Sequence, residues 1–151
     1  MKYLFIAFSA LAVVGAVWAV YPRQIETPAG VIEKNTRSVV YTNGSEDLIR
    51  VSSPLSGATV GRNFSVTGDA RGTWFFEASF PVLLLGAMGE ILVQSPAQAK
   101  SEWMTENFVP FQIDITVPKT YTGPATLILK KDNPSGLAEH DASLSFEIYI
   151  K

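Results

Sequence analysis

Residues 73–95, TWFFEASFPVLLLGAMGEILVQS, constrain the fold more than any other stretch of the chain. They contain two apolar runs rich in aromatic and branched residues, separated by Gly-Ala-Met-Gly. This pattern predicts a β-hairpin, because glycine permits the chain to reverse. Every second residue from Trp74 to Leu84 is apolar, and in an extended strand these side chains share one face. So long an apolar stripe predicts a second sheet packed against it.

Several other segments alternate between apolar and polar residues in the same way. Strands are predicted at residues 48–51, 64–67, 111–117, 125–130 and 144–150. Residues 96–107 show little periodicity and are expected to form a loop with room for one helical turn. Short strands with a turn every eight to twelve residues are typical of an all-β protein, an immunoglobulin-like antiparallel β-sandwich of about seven strands.

The amino terminus has the pattern of an export signal. Lys2 precedes an uncharged apolar run at residues 4–20, so residues 1–22 are expected to form a transmembrane or signal helix. Seventeen residues are at the lower limit for spanning a bilayer and somewhat long for a signal peptide. Cleavage after Ala19 would release a secreted protein. Trp18 makes a poor cleavage site, which favours an uncleaved signal anchor with the domain on the extracytoplasmic side of a bacterial membrane.

The next segment, residues 23–46, mixes prolines, glycines and charges and is expected to be a spacer. It contains one short apolar patch at Val39, Val40 and Tyr41. Two alternatives stay open for this patch: a short strand or turn within the spacer, or an edge strand of the sandwich. The sandwich itself is expected at residues 47–151, which is room for one small domain.

Composition excludes several classes of function. The chain has no cysteine, so disulfides, a cysteine-based zinc site, a thiol nucleophile and a lipoprotein anchor are excluded. The formal net charge is −2, and no basic stripe with interleaved aromatic residues is present. Nucleic acid is therefore not an expected partner.

The sequence contains no recognisable pattern of catalytic or cofactor-binding residues. The single histidine, His140, lies between Glu139 and Asp141 in a polar connection, where a solvated loop is the expected structure. Glu77 and Glu90 make a poor candidate for a catalytic carboxylate pair, because Glu77 is expected on the outer face, either solvated or paired with a lysine across the sheet. Oxygen ligands for calcium are present in predicted loops, without the spacing of a known site, and a metal-free domain is expected. These ligands are Asp69, Asp132, Asn133, Glu139 and Asp141.

Exposed side chains are the better candidates for function. Trp103 and Met104 lie in the polar 96–107 segment, where a large side chain either closes the core as a lid or contacts a partner. The lid is the favoured interpretation for both side chains. Phe75 and Tyr149 share strand parity with polar residues and are expected on the outer face. An exposed sheet edge offers a further route to a partner.

The sequence also resembles a known family. The resemblance covers residues 48–150 and is carried by Ser53-Pro54-Leu55 with Gly57, Val66-Thr67-Gly68, Phe76-Glu77-Ala78, Gly89 and Pro110-Phe111. In this order and spacing, these marks are similar to the immunoglobulin-like domain of bacterial spore-germination and sporulation-associated proteins. The resemblance implies a bacterial envelope protein with an immunoglobulin-like fold. It does not imply sporulation, and the family has no catalytic residues to carry over.

One departure from the family pattern concerns the hairpin turn. The family usually has an acidic residue where this chain has Gly86-Ala87.

Two functional hypotheses follow from these observations. The first is a non-catalytic interaction module, tethered to the cell envelope, that binds a protein partner through loops or a sheet edge. The alternative is a module that binds glycan or cell-wall polymer through Trp103, Phe75 or Trp74. The exposure of these rings discriminates between the two.

Overall fold

The computed structural model describes residues 38–151. The predicted signal anchor at residues 1–22 and the greater part of the predicted spacer lie outside the described residues. Within residues 38–151, no helix is long and apolar enough to cross a bilayer.

The described chain is all-β, with nine strands and two single-turn 3-10 helices, at Gly72–Trp74 and Ala138–His140. The seven longer strands correspond to the number expected from the sequence, and β1 and β3 are short additions. In chain order the strands are β1 (Val40–Thr42), β2 (Ile49–Ser53), β3 (Thr59–Val60), β4 (Asn63–Arg71), β5 (Ser79–Leu85), β6 (Ile91–Ala99), β7 (Phe108–Thr116), β8 (Gly123–Lys130) and β9 (Ser143–Ile150).

The strands form one hydrogen-bonded path in the order β1-β9-β8-β5-β6-β7-β4-β2. All pairs along this path are antiparallel, and β3 adds to β9 in parallel. Strands β6 and β7 pair only at Gln98–Gln112 and Ala99–Phe111. The path bends at this corner, so that its two halves curl around one core.

The core is built from the alternating residues of the longer strands, as a half-buried sheet requires. Phe80, Val82 and Leu84 of β5 are buried, which confirms the predicted inward face over this part of the hairpin. The ring of Phe80 meets the ring of Phe111 edge to face, with centroids 5.0 Å apart. Because Phe111 lies on β7, this contact joins the two halves of the path across the core.

The predicted strand is wrong over residues 73–78. The chain there makes a 3-10 turn at Gly72–Trp74 and then a tight reversal in which Phe76 and Ser79 form an isolated bridge. The reversal breaks the period of two, so Phe75 is buried with only 5 % of its surface exposed, whereas Phe76 is 43 % exposed. The expectation that Phe75 lies on the outer face is therefore wrong.

Two further boundaries differ from the sequence predictions. Residues 96–99 continue β6 instead of belonging to the 96–107 loop, and the rest of that segment contains no helix. The apolar patch at residues 39–41 contributes β1, which pairs with β9 from Val40–Ser145 to Thr42–Ser143. Of the two alternatives for this patch, the structure contains the edge strand.

Candidate functional site

Four connections meet at one end of the domain. They are residues 43–48 before β2, residues 72–78 between β4 and β5, residues 100–107 between β6 and β7, and residues 131–142 between β8 and β9. Strand register brings them together, because Ile49 pairs with Ala70 and Arg71 pairs with Phe108. We call these four segments the loop end.

Backbone hydrogen bonds tie three of the four segments to one another. The amide of Gly72 donates to the carbonyl of Asn107 at 3.1 Å. The amide of Asp132 donates to the carbonyl of Trp74 at 3.0 Å. The loop end is therefore one connected surface and not a set of independent loops.

Arg71 adds a second set of ties, to the 43–48 and 100–107 segments. Its Nε donates to the carbonyl of Asp47 at 3.0 Å, and its Nη1 donates to the carbonyl of Glu106 at 3.2 Å. The guanidinium lies 4.1 Å from the ring centroid of Phe108, and the guanidinium of Arg50 lies 4.0 Å from the same centroid. Stacking on the ring orients Arg71 for these hydrogen bonds.

Glycine is required where β4 ends. A Cβ on Gly72 would overlap the carbonyl oxygens of Thr105 and Trp103, which belong to the facing segment. The 100–107 segment can therefore lie directly against residue 72 only because that residue has no side chain. This close approach positions Trp103 and Met104 at the loop end.

The turn at residues 76–79 holds two residues in an uncommon backbone conformation. Glu77 has φ 48° and Ala78 has φ 61°, and the amides and carbonyls of Phe76 and Ser79 pair with each other at 2.9 and 3.1 Å. Such paired positive φ values are typical of a type I′ turn, in which asparagine and glycine are preferred. The turn projects the Phe76 ring and the Glu77 side chain outward.

Three large apolar side chains are exposed at the loop end, each on a different segment. Phe76 is 43 % exposed, Met104 is 74 % exposed and Leu137 is 50 % exposed. Single exposed apolar residues are ordinary, whereas groups of them are typical of contact surfaces.

Carboxylates surround these side chains. Eight of the twelve acidic residues between positions 38 and 151 lie in the four loop-end segments, together with two lysines. The acidic residues are Glu46, Asp47, Glu77, Glu102, Glu106, Asp132, Glu139 and Asp141. The loop end is therefore strongly acidic although the whole chain has a formal charge of only −2.

A shallow cleft of about 230 Å³ lies between the Phe76 turn and the 131–142 segment, and His140 lines it. The His140 Nδ1 lies 3.3 Å from the Ser135 hydroxyl oxygen. The same hydroxyl donates to Asn133 Oδ1 at 2.6 Å, so its proton points away from the imidazole. A base that activates a nucleophile must accept that proton, and this geometry is instead that of a hydrogen-bonded turn.

Two of the five residues with oxygen ligands of the kind that bind calcium, Asn133 and Asp141, are hydrogen-bonded to each other. The Asn133 Nδ2 donates to Asp141 Oδ1 and to the carbonyl of Leu137, both at 2.8 Å, so the amide presents its nitrogen to the carboxylate. Asp69 lies within β4, away from these loops. Among residues 38–151, no group of three or more acidic or histidine side chains is arranged to hold a metal ion.

The four side chains singled out from the sequence differ in burial and in their position on the domain. Trp103 is half-buried and packs against the core, as expected for a lid. Met104 beside it is exposed, so the lid interpretation is wrong for this residue. Phe75 lies at the same end but is buried. Tyr149 is 45 % exposed on β9, opposite Pro124, and lies toward the other end of the domain.

Sequence reasoning missed Phe76 and Leu137 as exposed candidates. For Leu137 a signal was present, because it is a lone large apolar residue in the polar run from Lys130 to Asp141. For Phe76 the alternation wrongly predicted a buried side chain, because nothing in the sequence Glu77-Ala78 indicates a left-handed turn.

A second concavity, of about 250 Å³, opens where the first and last strands of the path face each other. Its floor includes the core residues Leu144 and Phe146, and its rim includes Tyr41 and Glu46. Burial, and secondarily the charge of Glu46, raises the pKa of the Tyr41 hydroxyl.

Comparison with known proteins agrees with this architecture. A search of curated proteins found no match to the chain. The family model for the immunoglobulin-like domain of bacterial spore germination matches residues 48–138, which extend from the start of β2 into the loop before β9. The match covers more than half of the chain and nearly all strands that enclose the core. The chain therefore belongs to the family of immunoglobulin-like domains of bacterial spore germination.

Proposed function

We propose that the domain is a non-catalytic interaction module that binds a protein partner through the loop end. In this proposal residues 1–22 tether it to a bacterial membrane, with the domain on the extracytoplasmic side. The observation that carries the proposal is the set of three exposed apolar side chains, Phe76, Met104 and Leu137, on connected segments. Protein interfaces combine such anchors with a polar rim.

The acidic rim specifies the kind of partner. Seven of the eight loop-end carboxylates are exposed, and the eighth, Asp132, is half-buried. An acidic rim accelerates association with a basic surface and slows association with an acidic one. The partner is therefore a protein that presents apolar side chains within a basic surface, and its association weakens as salt is added.

The experiment is affinity capture from detergent-solubilised envelope with tagged full-length protein, read by mass spectrometry. Phe76→Ser and Met104→Ser are expected to weaken partner binding by about tenfold each, because each removes an apolar anchor. Met88→Ser is the matched control, since Met88 is 92 % exposed and lies at the other end of the domain. Capture that survives both loop-end variants would overturn the proposal.

The alternative function is binding of glycan or cell-wall polymer. Burial of Trp74 and Phe75 removes two of its three rings, and half-buried Trp103 is the ring that stays available. A sedimentation assay with purified cell-wall polymer tests it alongside the capture. Polymer binding that disappears in a folded Trp103→Ala variant would replace the protein-partner proposal with this one.

A further inference from the structure

The end of the domain opposite the loop end has the opposite charge. It consists of residues 54–62, 86–90 and 117–122 together with Lys151, and we call it the hairpin end. It contains three basic residues, Arg62, Lys119 and Lys151, and one acidic residue, Glu90. The side chains of the hairpin end thus carry a net positive charge, whereas those of the loop end, about 30 Å away for strands of nine residues, carry a net negative charge because carboxylates outnumber lysines there.

An apolar side chain projects from the hairpin end. Met88, at the tip of the turn between β5 and β6, is 92 % exposed, and Ile91 beside it is also exposed. The turn is held in shape, since the Gly86 amide donates to the Glu90 carbonyl at 2.8 Å and the Met88 amide donates to Glu90 Oε2 at 3.1 Å. Met88 is therefore presented on an ordered turn.

Tyr121 joins this turn to the neighbouring loop. Its hydroxyl accepts a hydrogen bond from the Ala87 amide at 2.9 Å. Arg62 donates from Nη1 to the carbonyls of Pro118 and Tyr121, at 2.9 and 2.8 Å, and so holds the loop that contains exposed Lys119. The apolar tip and the lysine belong to one connected platform.

The chain enters the sandwich from the direction of this platform. Strand β1 runs toward the loop end, because Val40 pairs with Ser145 and Thr42 pairs with Ser143 at the start of β9. The residues before β1, Ser38 and Val39, therefore lie on the side of β1 that points toward the hairpin end.

We propose that the hairpin end rests on an anionic lipid surface, with Met88 in the interfacial layer and Lys119 and Lys151 at the lipid phosphates. Tyr149, exposed two residues before Lys151, is an aromatic residue of the type that favours this layer. The contact holds the acidic loop end away from the bilayer and toward a partner. The inference rests on the tether in the proposed function.

The proposed lipid contacts are weak and depend on the tether. One lysine near an anionic surface strengthens binding by about fivefold, and one methionine adds about tenfold. Two lysines and one methionine are thus too few for stable binding from solution. A short tether supplies an effective concentration in the millimolar range, at which contacts of this strength are occupied. The loop-end carboxylates oppose the contact little, because about 30 Å is several times the Debye length of about 8 Å.

The experiment uses full-length protein in vesicles of phosphatidylglycerol and phosphatidylethanolamine. Because the chain has no cysteine, Met88→Cys and Met104→Cys each introduce a single site for an environment-sensitive fluorophore. Spin-labelled lipid is expected to quench the label at position 88 at least threefold more than the label at position 104. Adding Lys119→Glu and Lys151→Glu to Met88→Cys is expected to reduce the quenching, as is exchange of the lipid for phosphatidylcholine.

Equal quenching at the two positions, or stronger quenching at position 104, would overturn the proposal. The proposal would also be overturned if the label at position 88 stayed in water beside anionic vesicles and position 88 crosslinked to an acidic protein. Alkaline extraction of the vesicles tests the tether separately, since an untethered chain is released. Capture of a protein partner from detergent by the Met88→Ser variant tests the loop end separately, because this variant changes only the hairpin end. Failure of the lipid contact and failure of the proposed function are therefore distinguishable.

Discussion

The carboxylate of Glu90 occupies the space in which a side chain on Gly86 would stand. The same carboxylate accepts a hydrogen bond from the Met88 amide at 3.1 Å, which completes the turn between β5 and β6. Glu90 thus reaches back across the turn from its far side, and the glycine at position 86 leaves room for the carboxylate.

This relationship predicts a coupling between the two positions. Gly86→Ala is expected to destabilise the domain by about 0.5–1.5 kcal/mol, because the Glu90 side chain must leave and the hydrogen bond to the Met88 amide is lost. In a Glu90→Ala background the same substitution is expected to be neutral or stabilising by up to about 1 kcal/mol. A double-mutant cycle by urea denaturation measures the coupling, and additive effects would contradict the assignment.

The turn at Glu77-Ala78 offers a stabilising substitution. Ala78 has φ 61°, a conformation that costs a residue with a Cβ about 1–2 kcal/mol and costs glycine little. Ala78→Gly is therefore expected to raise the free energy of unfolding by about 0.5–1 kcal/mol, after the greater freedom of glycine in the unfolded chain is counted. Ala87→Gly, at a turn residue without positive φ, is the control and is expected to be slightly destabilising. The prediction is wrong if both glycines have the same effect.

Arg71 is expected to control the order of the loop end. Arg71→Met keeps the contact with Phe108 but removes the hydrogen bonds to the carbonyls of Asp47 and Glu106, with a cost of about 1 kcal/mol or more. Hydrogen exchange is expected to accelerate at residues 45–48 and 104–107. Arg50→Met, on the same ring, is the control and is expected to leave those segments protected. Uniform acceleration across the domain would instead indicate global destabilisation.

Asp114 is expected to titrate below the ordinary range. Its Oδ1 accepts hydrogen bonds from the Ser65 hydroxyl at 2.5 Å and from the Gln112 amide at 3.2 Å, and these bonds, that from Ser65 first, lower the pKa of the carboxyl group. Because the folded protein favours the carboxylate, the associated stability is present above the ordinary aspartate pKa of about 3.9. This stability is lost as the pH falls from about 3.9 through the lower pKa that Asp114 has in the folded protein.

Carbon NMR of the Asp114 carboxyl group measures this titration. Ser65→Ala is expected to raise the Asp114 pKa toward the ordinary value, while the Gln112 amide retains part of the shift. Ser52→Ala, on the neighbouring strand β2, is expected to leave the titration unchanged. An unchanged pKa in Ser65→Ala would exclude the hydroxyl as the first cause.

The local sequence pattern correctly predicted the strands in which apolar and polar residues alternate without interruption. In β7 and β9 the alternation is continuous, and the buried residues are the ones that the period of two selects, such as Phe111, Ile113, Phe146 and Ile148. The pattern failed at Phe75 and Phe76, because a turn of two residues with positive φ reverses the parity. Neither glutamate nor alanine is typical of such a turn, so the turn depends on the contacts of the surrounding structure.

An all-β domain over residues 48–150, with a hairpin at its centre and a core made by alternating strands, can be predicted from the amino-acid sequence alone. This is so because strand periodicity and turn chemistry act over a few neighbouring residues. The meeting of four loops, distant in sequence, at one acidic and partly apolar end is visible only in the folded protein. Residues as far apart as Asp47, Trp74, Glu106 and Asp132 meet there through strand register and a side-chain-free Gly72. Such proximity depends on the pairing of whole strands, which no local pattern records.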